Sequence, residues 1–144
     1  MPLPAPFPGL VIHYSFLWLD EHAAGQVEGS KDRPCAVVLA VEAAAGRPVV
    51  TVAPITRRPP ARAQDAVEIP QETKRRLGLD SNRSWIVVTQ TNTFAWPGVD
   101  LRPVPGERDR WAYGAITSKL LRRIREALVA AAREQRLSRV VRND

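Results

Sequence analysis

The stretch that decides the fold is EGSKDRPCAVVLAV, residues 28–41. Its first five residues are polar or glycine, as in a surface loop, and Pro34 fixes the backbone where that loop ends. The apolar run from Ala36 to Val41 is rich in β-branched residues and predicts a buried strand. Arg33 therefore lies where a loop meets a strand. From there its planar guanidinium can reach an anion such as phosphate.

Other stretches have the same strand composition. They are residues 9–17, 49–55 and 85–91, with shorter candidates at 66–69 and 101–104. The run 49–55 leads into Thr56, whose hydroxyl can both donate and accept a hydrogen bond. The sequence thus places an arginine and a threonine at the ends of consecutive strands, where the two side chains can converge on one ligand.

Two helices are predicted. A short one starts at Pro70 and ends at Gly78. A long one runs from Ser118, its expected cap, to about Leu137, with Leu120, Ile124 and Leu128 at helical spacing. Short strands followed by one long helix indicate a mainly β, α+β fold. We expect a single domain, residues 1–144, with the proline-rich residues 1–8 as an extended lead-in.

Charge and cysteine content narrow the class of protein. Residues 119–144 hold eight Lys/Arg and three Asp/Glu, so they carry +5 of the net charge of +6. Such a tail suits nucleic acid or an acidic protein, and a solvated helix face explains it as well.

The single cysteine, Cys35, excludes an intramolecular disulfide and fits a reducing compartment. No apolar run approaches the length of a membrane span. No spacing of ligands is typical of a zinc site, so neither metal nor cofactor is expected.

The order of these pieces resembles the MazF/PemK (Kid) family of toxin endoribonucleases. The family pattern is Gly-x-Ile/Val-Val, then x-Arg-Pro-x-x-Val-Val, then a Thr after a core strand. It is matched by Gly9-Leu10-Val11-Ile12, by Arg33-Pro34 with Val37-Val38, and by Ile55-Thr56. Segments 20–35 and 96–101 are similar to a PemK-like subgroup. The resemblance implies a small SH3-like barrel with the long C-terminal helix packed against it.

The resemblance also implies a metal-independent endoribonuclease that cuts single-stranded RNA by attack of the 2′-hydroxyl. It assigns catalytic roles to Arg33 and Thr56. A guanidinium stays protonated near neutral pH and is a poor base. His22 and Glu28, in the same loop as Arg33, are therefore the candidates for the base. The structural alternative is that Arg33 only ties its loop to a nearby carboxylate.

Further residues are candidates for RNA contacts: Lys31, Arg57 and Arg58 for phosphates, Gln90 and Asn92 for base edges, and Trp96 for stacking. The alternative for Trp96 is packing beneath the turn that follows it. Two features depart from the subgroup. Arg57-Arg58 replaces a less basic segment that often contains histidine, and Gln90 stands where many members carry a carboxylate. Both weaken the prediction of full activity.

Partners follow from the same resemblance. It implies a cytoplasmic homodimer that binds RNA in an interface groove, and a small acidic antitoxin that fills this groove. The competing hypothesis is a non-catalytic SH3-like barrel that binds RNA or a protein. A third hypothesis, a C-terminal helix lying on a membrane surface, is disfavoured by its few aromatic residues and many alanines.

Overall fold

A computed structural model describes residues 3–43 and 46–142. The strands are β1 Leu10–Tyr14, β2 Arg33–Glu42, β3 Pro48–Thr56, β4 Ala66–Glu68, β5 Trp85–Val87, β6 Gln90–Ala95, β7 Leu101–Arg102, β8 Gly114–Ala115 and β9 Ser138–Val141. The helices are α1 Leu19–Ala23, α2 Gln71–Leu77 and α3 Ser118–Arg133, and a single 3₁₀ turn lies at Ala63–Asp65. No helix in the described part of the chain is long and apolar enough to cross a membrane.

The strands form one mainly antiparallel sheet. Its path runs β4-β5-β3-β2-β1-β7, with β6 also paired to β3, β8 to β1, and β9 to β6. The β6–β9 pair is parallel, because β9 returns to the sheet after α3. Within the described residues β4 and β7, the two ends of the path, do not pair with each other, so the sheet is open.

The strands β5 and β6 both pair with β3, one after the other along its length, with a break between them. Along β3 the pairing moves three residues, from Val52 to Ile55, while the partner moves six, from Asn92 to Ile86. The three extra residues leave the β3 ladder, so Thr89 and Gln90 have no partner in β3, although Gln90 still pairs with Ser138 of β9. This irregularity supplies one wall of the site described below.

The sheet separates two apolar clusters. On one face Val11, Ala36 and Ala53 are fully buried beneath Leu120 and Ile124 of α3. The apolar side chains of the other face include Ile12, Tyr14, Cys35, Val52 and Phe94. Neighbouring residues of β1 and β2 point to opposite faces, which explains why these strands are apolar almost throughout.

The predicted fold class, mainly β with a C-terminal helix, is confirmed. The closed barrel is not observed, because the terminal strands β4 and β7 are only three and two residues long. The helix α3 ends at Arg133 instead of about Leu137, and Thr117 rather than Ser118 caps it, its hydroxyl accepting from Leu120 N at 3.1 Å. The lead-in, as far as the structure describes it, forms no helix or strand.

Candidate functional site

An open cleft of about 1010 Å³ lies where the ends of β2 and β3 meet the segment that enters α1. Its walls come from parts of residues 18–21, 31–34, 55–66 and 79–90. The β2–β3 ladder explains why the first catalytic candidates meet here. Its last pair is Cys35 with Pro54, so the same register continued by two residues places Arg33 opposite Thr56. Both line the cleft.

The Arg33 guanidinium is half-buried and lies over the ring of Trp18, 5.0 Å from its centroid. Burial lowers the pKa of Arg33 below its ordinary value, and the carboxylate of Glu21 opposes this shift. An arginine nevertheless stays charged at neutral pH. Its Nε is buried and has no hydrogen-bond partner among the described residues. Because a buried donor without a partner is costly, the arrangement suits an anionic ligand that would accept this bond.

The Thr56 hydroxyl is held by the turn that follows β3. Its Oγ1 accepts a hydrogen bond from the backbone N–H of Arg58 at 3.1 Å. This bond occupies an acceptor site of the hydroxyl and leaves its O–H free to donate. The same turn exposes the side chains of Arg57 and Arg58, which line the cleft together with Lys31. The structure thus brings together five of the residues that the sequence singled out.

The Gln90 side chain also lines the cleft, but its carbonyl is engaged. Its Oε1 accepts from the backbone N–H of Leu19 at 2.8 Å, which leaves the amide NH₂ as the end available to a ligand. Asn92 is different. It is fully buried, with Oδ1 accepting from Leu17 N and Nδ2 donating to Leu17 O, both at 2.8 Å. These bonds fasten the segment that enters α1 to β6, so Asn92 is not placed to read a base.

The Trp96 side chain is only 7% exposed and packs in the cluster that contains Tyr14 and Phe94. Its position matches packing beneath the turn, not a stacking surface for RNA. The aromatic ring that does line the cleft is Trp18, beneath Arg33. Sequence reasoning missed it because it lies outside the strand patterns, four residues after β1.

The proposed bases lie elsewhere. His22 and Glu28 are both exposed, and neither lines the cleft. The helix α1 carries instead Asp20 and Glu21 into the cleft, and Asp32 reaches it from the loop before β2. A short helix here was not predicted. Sequence distance alone therefore could not indicate which acidic residue of the loop lies near Arg33.

The Glu21 carboxylate is tightly bound within its loop. It accepts from Trp18 N at 3.0 Å, from Ser30 N at 3.2 Å and from the Ser30 hydroxyl. Burial raises the pKa of Glu21, but these hydrogen bonds outweigh burial and hold the pKa below its ordinary value. Glu21 is therefore ionised near neutral pH and is a weak proton acceptor. Its main effect is to fix the loop that delivers Arg33.

Sequence reasoning missed a buried network of hydrogen bonds around Arg142. Arg142, one of the eight cations of the basic tail, is buried and pairs with Asp100 at 2.7 Å. It also donates to the carbonyl oxygens of Ser15 at 2.9 Å and Val27 at 2.8 Å. Both carbonyls belong to the stretch that carries α1 and the loop before β2. No local pattern around Arg142 distinguishes it from the exposed arginines that precede it.

A family model described as PemK-like, MazF-like toxin of type II toxin-antitoxin system matches residues 15–132. Since this is most of the 144 residues, the chain belongs to that family. It is the toxin component of such a system, and members of the family are generally endoribonucleases. Neither a curated protein nor a solved structure matches the chain significantly.

Proposed function

We propose that this toxin is a metal-independent endoribonuclease that cleaves single-stranded RNA by attack of the 2′-hydroxyl. The observation that carries the proposal is the meeting of Arg33 and Thr56 at one end of the β2–β3 ladder, within one cleft. Family membership supports RNA as the substrate. A 2′-hydroxyl nucleophile also explains why RNA and not DNA would be cut.

The reaction makes a bond between the 2′-oxygen and phosphorus and breaks the bond between phosphorus and the 5′-oxygen. The products are a 2′,3′-cyclic phosphate and a 5′-hydroxyl, whose oxygen takes up a proton from the protonated base or from water as it leaves. Negative charge grows on the phosphoryl oxygens in between, and a fixed guanidinium stabilises it. Arg33 fits this role because Trp18 and its loop restrain it. Thr56, with its O–H free to donate, fits a second bond to the same oxygens.

The 2′-proton needs an acceptor, and the structure changes the choice of residue. We assign it to Asp20 or Asp32, two of the five carboxylates that line the cleft, in place of His22 and Glu28, which lie outside it. Glu21 is engaged with Ser30, and Asp32 pairs with Arg102 at 3.6 Å.

One observation favours the non-catalytic alternative. The residues that line the cleft include four Lys/Arg and five Asp/Glu, so the cleft is not a uniformly basic groove. If no cleft carboxylate accepts the 2′-proton, the same arrangement binds RNA without cutting it. The two functions differ in one measurable property, the appearance of new RNA ends.

We also propose a homodimer, an acidic antitoxin and a cytoplasmic location. The support for a dimer is an apolar sheet face, which we call the outer face. Leu39 lies opposite Thr51 and Val41 opposite Val49, and the face continues through β6 to Val141 of β9. Leu39, Val41 and Val141 are each about half exposed. Thr51 and Thr93, whose hydroxyls share a hydrogen bond of 2.9 Å, lie between Leu39 and Val141 on this face. Exposed apolar side chains grouped on one face are typical of a protein–protein interface.

The test compares the parent chain with Arg33→Ala and with the matched control Arg108→Ala, an exposed loop arginine outside the cleft. Each protein is incubated with a mixed RNA pool and a chelator, and new ends are mapped by sequencing. Loss of one charge-stabilising donor should reduce cleavage by about 10²–10³-fold in Arg33→Ala. The control should cleave like the parent.

Three outcomes would contradict the proposal. Equal cleavage by Arg33→Ala removes the mechanism, and cleavage only with added divalent metal removes metal independence. RNA binding without new ends supports the binding module instead. Circular dichroism melts of each variant establish that the fold is retained. Light scattering of the parent gives the oligomeric state, and a monomer at micromolar concentration would remove the dimer.

A further inference from the structure

Four Lys and Arg side chains line the cleft, and one of them, Arg57, already forms an ion pair with a carboxylate. Arg57 Nη2 lies 2.8 Å from Asp80 Oδ2. Among the ion pairs of the described residues, this one alone joins a cleft cation to a carboxylate; Lys31, Arg33 and Arg58 have no such contact. Asp80 lines the cleft as well. An RNA phosphate that approached Arg57 would therefore meet a competing anion.

The two members of this pair are held very differently. Arg57 is 70% exposed, and its guanidinium extends from the turn after β3. Asp80 is anchored from below by Lys74 of α2, whose side chain is only 1% exposed. Lys74 Nζ donates to Asp80 Oδ1 at 3.1 Å, to Ser84 Oγ at 2.8 Å and to the Asn82 carbonyl. Arg57 can thus move away while Asp80 stays in place.

The loop geometry strengthens this anchor. The helix α2 ends at Gly78, whose φ of 74° lies in the left-handed region that glycine adopts readily. The chain then turns so that Asp80 Oδ1 also accepts from Asn82 N at 3.0 Å. Burial raises the pKa of Asp80, but its bonds to Lys74 and Asn82 and the charge of Arg57 hold the pKa below the ordinary value. The carboxylate is therefore charged whenever RNA arrives.

We propose that Asp80, fixed by the buried Lys74, is an intramolecular competitor that limits the hold of Arg57 on an RNA phosphate. RNA binding exchanges the Asp80 carboxylate for a phosphate as the partner of Arg57. The exchange weakens binding, because the fixed carboxylate stays near the phosphate that replaces it. Asp80 is thus a residue that sets RNA affinity and does not take part in the chemistry. The proposal rests on RNA as the ligand of the cleft.

The test uses a 2′-O-methyl RNA oligonucleotide, which lacks the nucleophile and cannot be cut. Its affinity is measured at several salt concentrations for the parent, Asp80→Asn and Asp109→Asn. The last is a matched control, an exposed loop acid that does not line the cleft and changes the net charge equally. The Asp80→Asn substitution keeps a side-chain oxygen for Lys74 but removes the carboxylate that pairs with this buried cation, so we expect the variant to melt below the parent. Affinities are therefore compared at a temperature at which thermal melts show every protein to be folded.

We expect Asp80→Asn to bind roughly 1.5- to 5-fold more tightly than Asp109→Asn, the range that an exposed ion pair supports. The salt slope should steepen by up to about 0.7, as for one additional phosphate contact. In an Arg57→Ala background the difference between the two substituted proteins should largely disappear. That loss separates competition for Arg57 from a general effect of charge.

Weaker binding by Asp80→Asn would overturn the proposal, because it would mean that Asp80 positions Arg57 for RNA. Equal binding by Asp80→Asn and Asp109→Asn would also overturn the proposal. If the parent still binds RNA in that case, the proposed function is unaffected. Failure of every protein, the parent included, to bind the oligonucleotide would remove both. A gain that persists in the Arg57→Ala background would assign the effect to bulk charge and contradict the exchange.

Discussion

The ion pair between Arg142 and Asp100 ties the last strand to the body of the sheet. The two side chains are 3% and 2% exposed, and their closest atoms lie 2.7 Å apart. Arg142 also donates to Ser15 O at 2.9 Å, to Val27 O at 2.8 Å and to Asn92 Oδ1 at 3.0 Å. One guanidinium therefore serves as partner for four different parts of the chain.

Substituting Arg142→Met keeps the apolar stem and removes the charge and the five donors. Asp100 would then be buried without its main counter-charge, which typically costs about 3–5 kcal/mol. Domains unfold with about 5–15 kcal/mol in total. We therefore expect the variant to lose a large fraction of its stability, with the segment from Ser15 to Val27 loosened as a consequence.

Urea denaturation followed by tryptophan fluorescence measures this loss. The matched control is Arg139→Met, at an exposed position of β9 three residues before Arg142. It removes the same charge and should change the free energy of unfolding by less than about 0.5 kcal/mol. The double variant Asp100→Asn/Arg142→Met should lose less than the sum of the single variants, since it removes both charges of the pair together. If Arg142→Met and Arg139→Met agree within about 1 kcal/mol, the reasoning about the buried pair is refuted.

Two further predictions concern pH and salt. Burial lowers the pKa of His13, which bonds Tyr113 Oη at 2.9 Å; Asp32 opposes the shift and Arg102 adds to it. The unfolded chain thus takes up this proton at a higher pH, so the free energy of unfolding should fall as pH drops through about 6.5. His13→Asn should weaken the pH dependence of the free energy of unfolding, and the control His22→Asn, at an exposed site, should not. Identical pH dependence in the two variants would contradict this prediction. The second prediction concerns the slope of log affinity against log salt concentration for single-stranded RNA. Arg58→Ala should reduce this slope by about 0.7, whereas Arg133→Ala on α3 should leave it unchanged. The reverse result would place the binding surface on the helix.

Local pattern was enough for the features that depend on neighbours in sequence. The apolar, β-branched composition of residues 36–41 and 49–55 predicted strands that the structure contains within β2 and β3. The helical spacing of Leu120 and Ile124 predicted the buried stripe of α3. Because β2 and β3 are consecutive and antiparallel, the loop before one and the turn after the other meet at the same end. The meeting of Arg33 and Thr56 could therefore be foreseen.

Contacts between distant segments could not be foreseen. Asn92 is polar and lies in a strand, so it looked available to RNA, but it satisfies the backbone of Leu17, 75 positions away. The four-residue strand β9 has no strong pattern of its own and forms because the edge of β6 is free to pair with it.

The carboxylates of the cleft show the same limit at short range. His22 directly follows Glu21, and Glu28 lies three residues before Lys31, yet both are exposed outside the cleft that Glu21 and Lys31 line. Periodicity records which face of an element is apolar. It does not record which polar group a buried donor 50 or 100 residues away requires, because that depends on how the elements pack. Sequence therefore determined the strands, the helix and the Arg33–Thr56 pair, and only the tertiary structure decided which polar residues face the cleft and which hold the fold together.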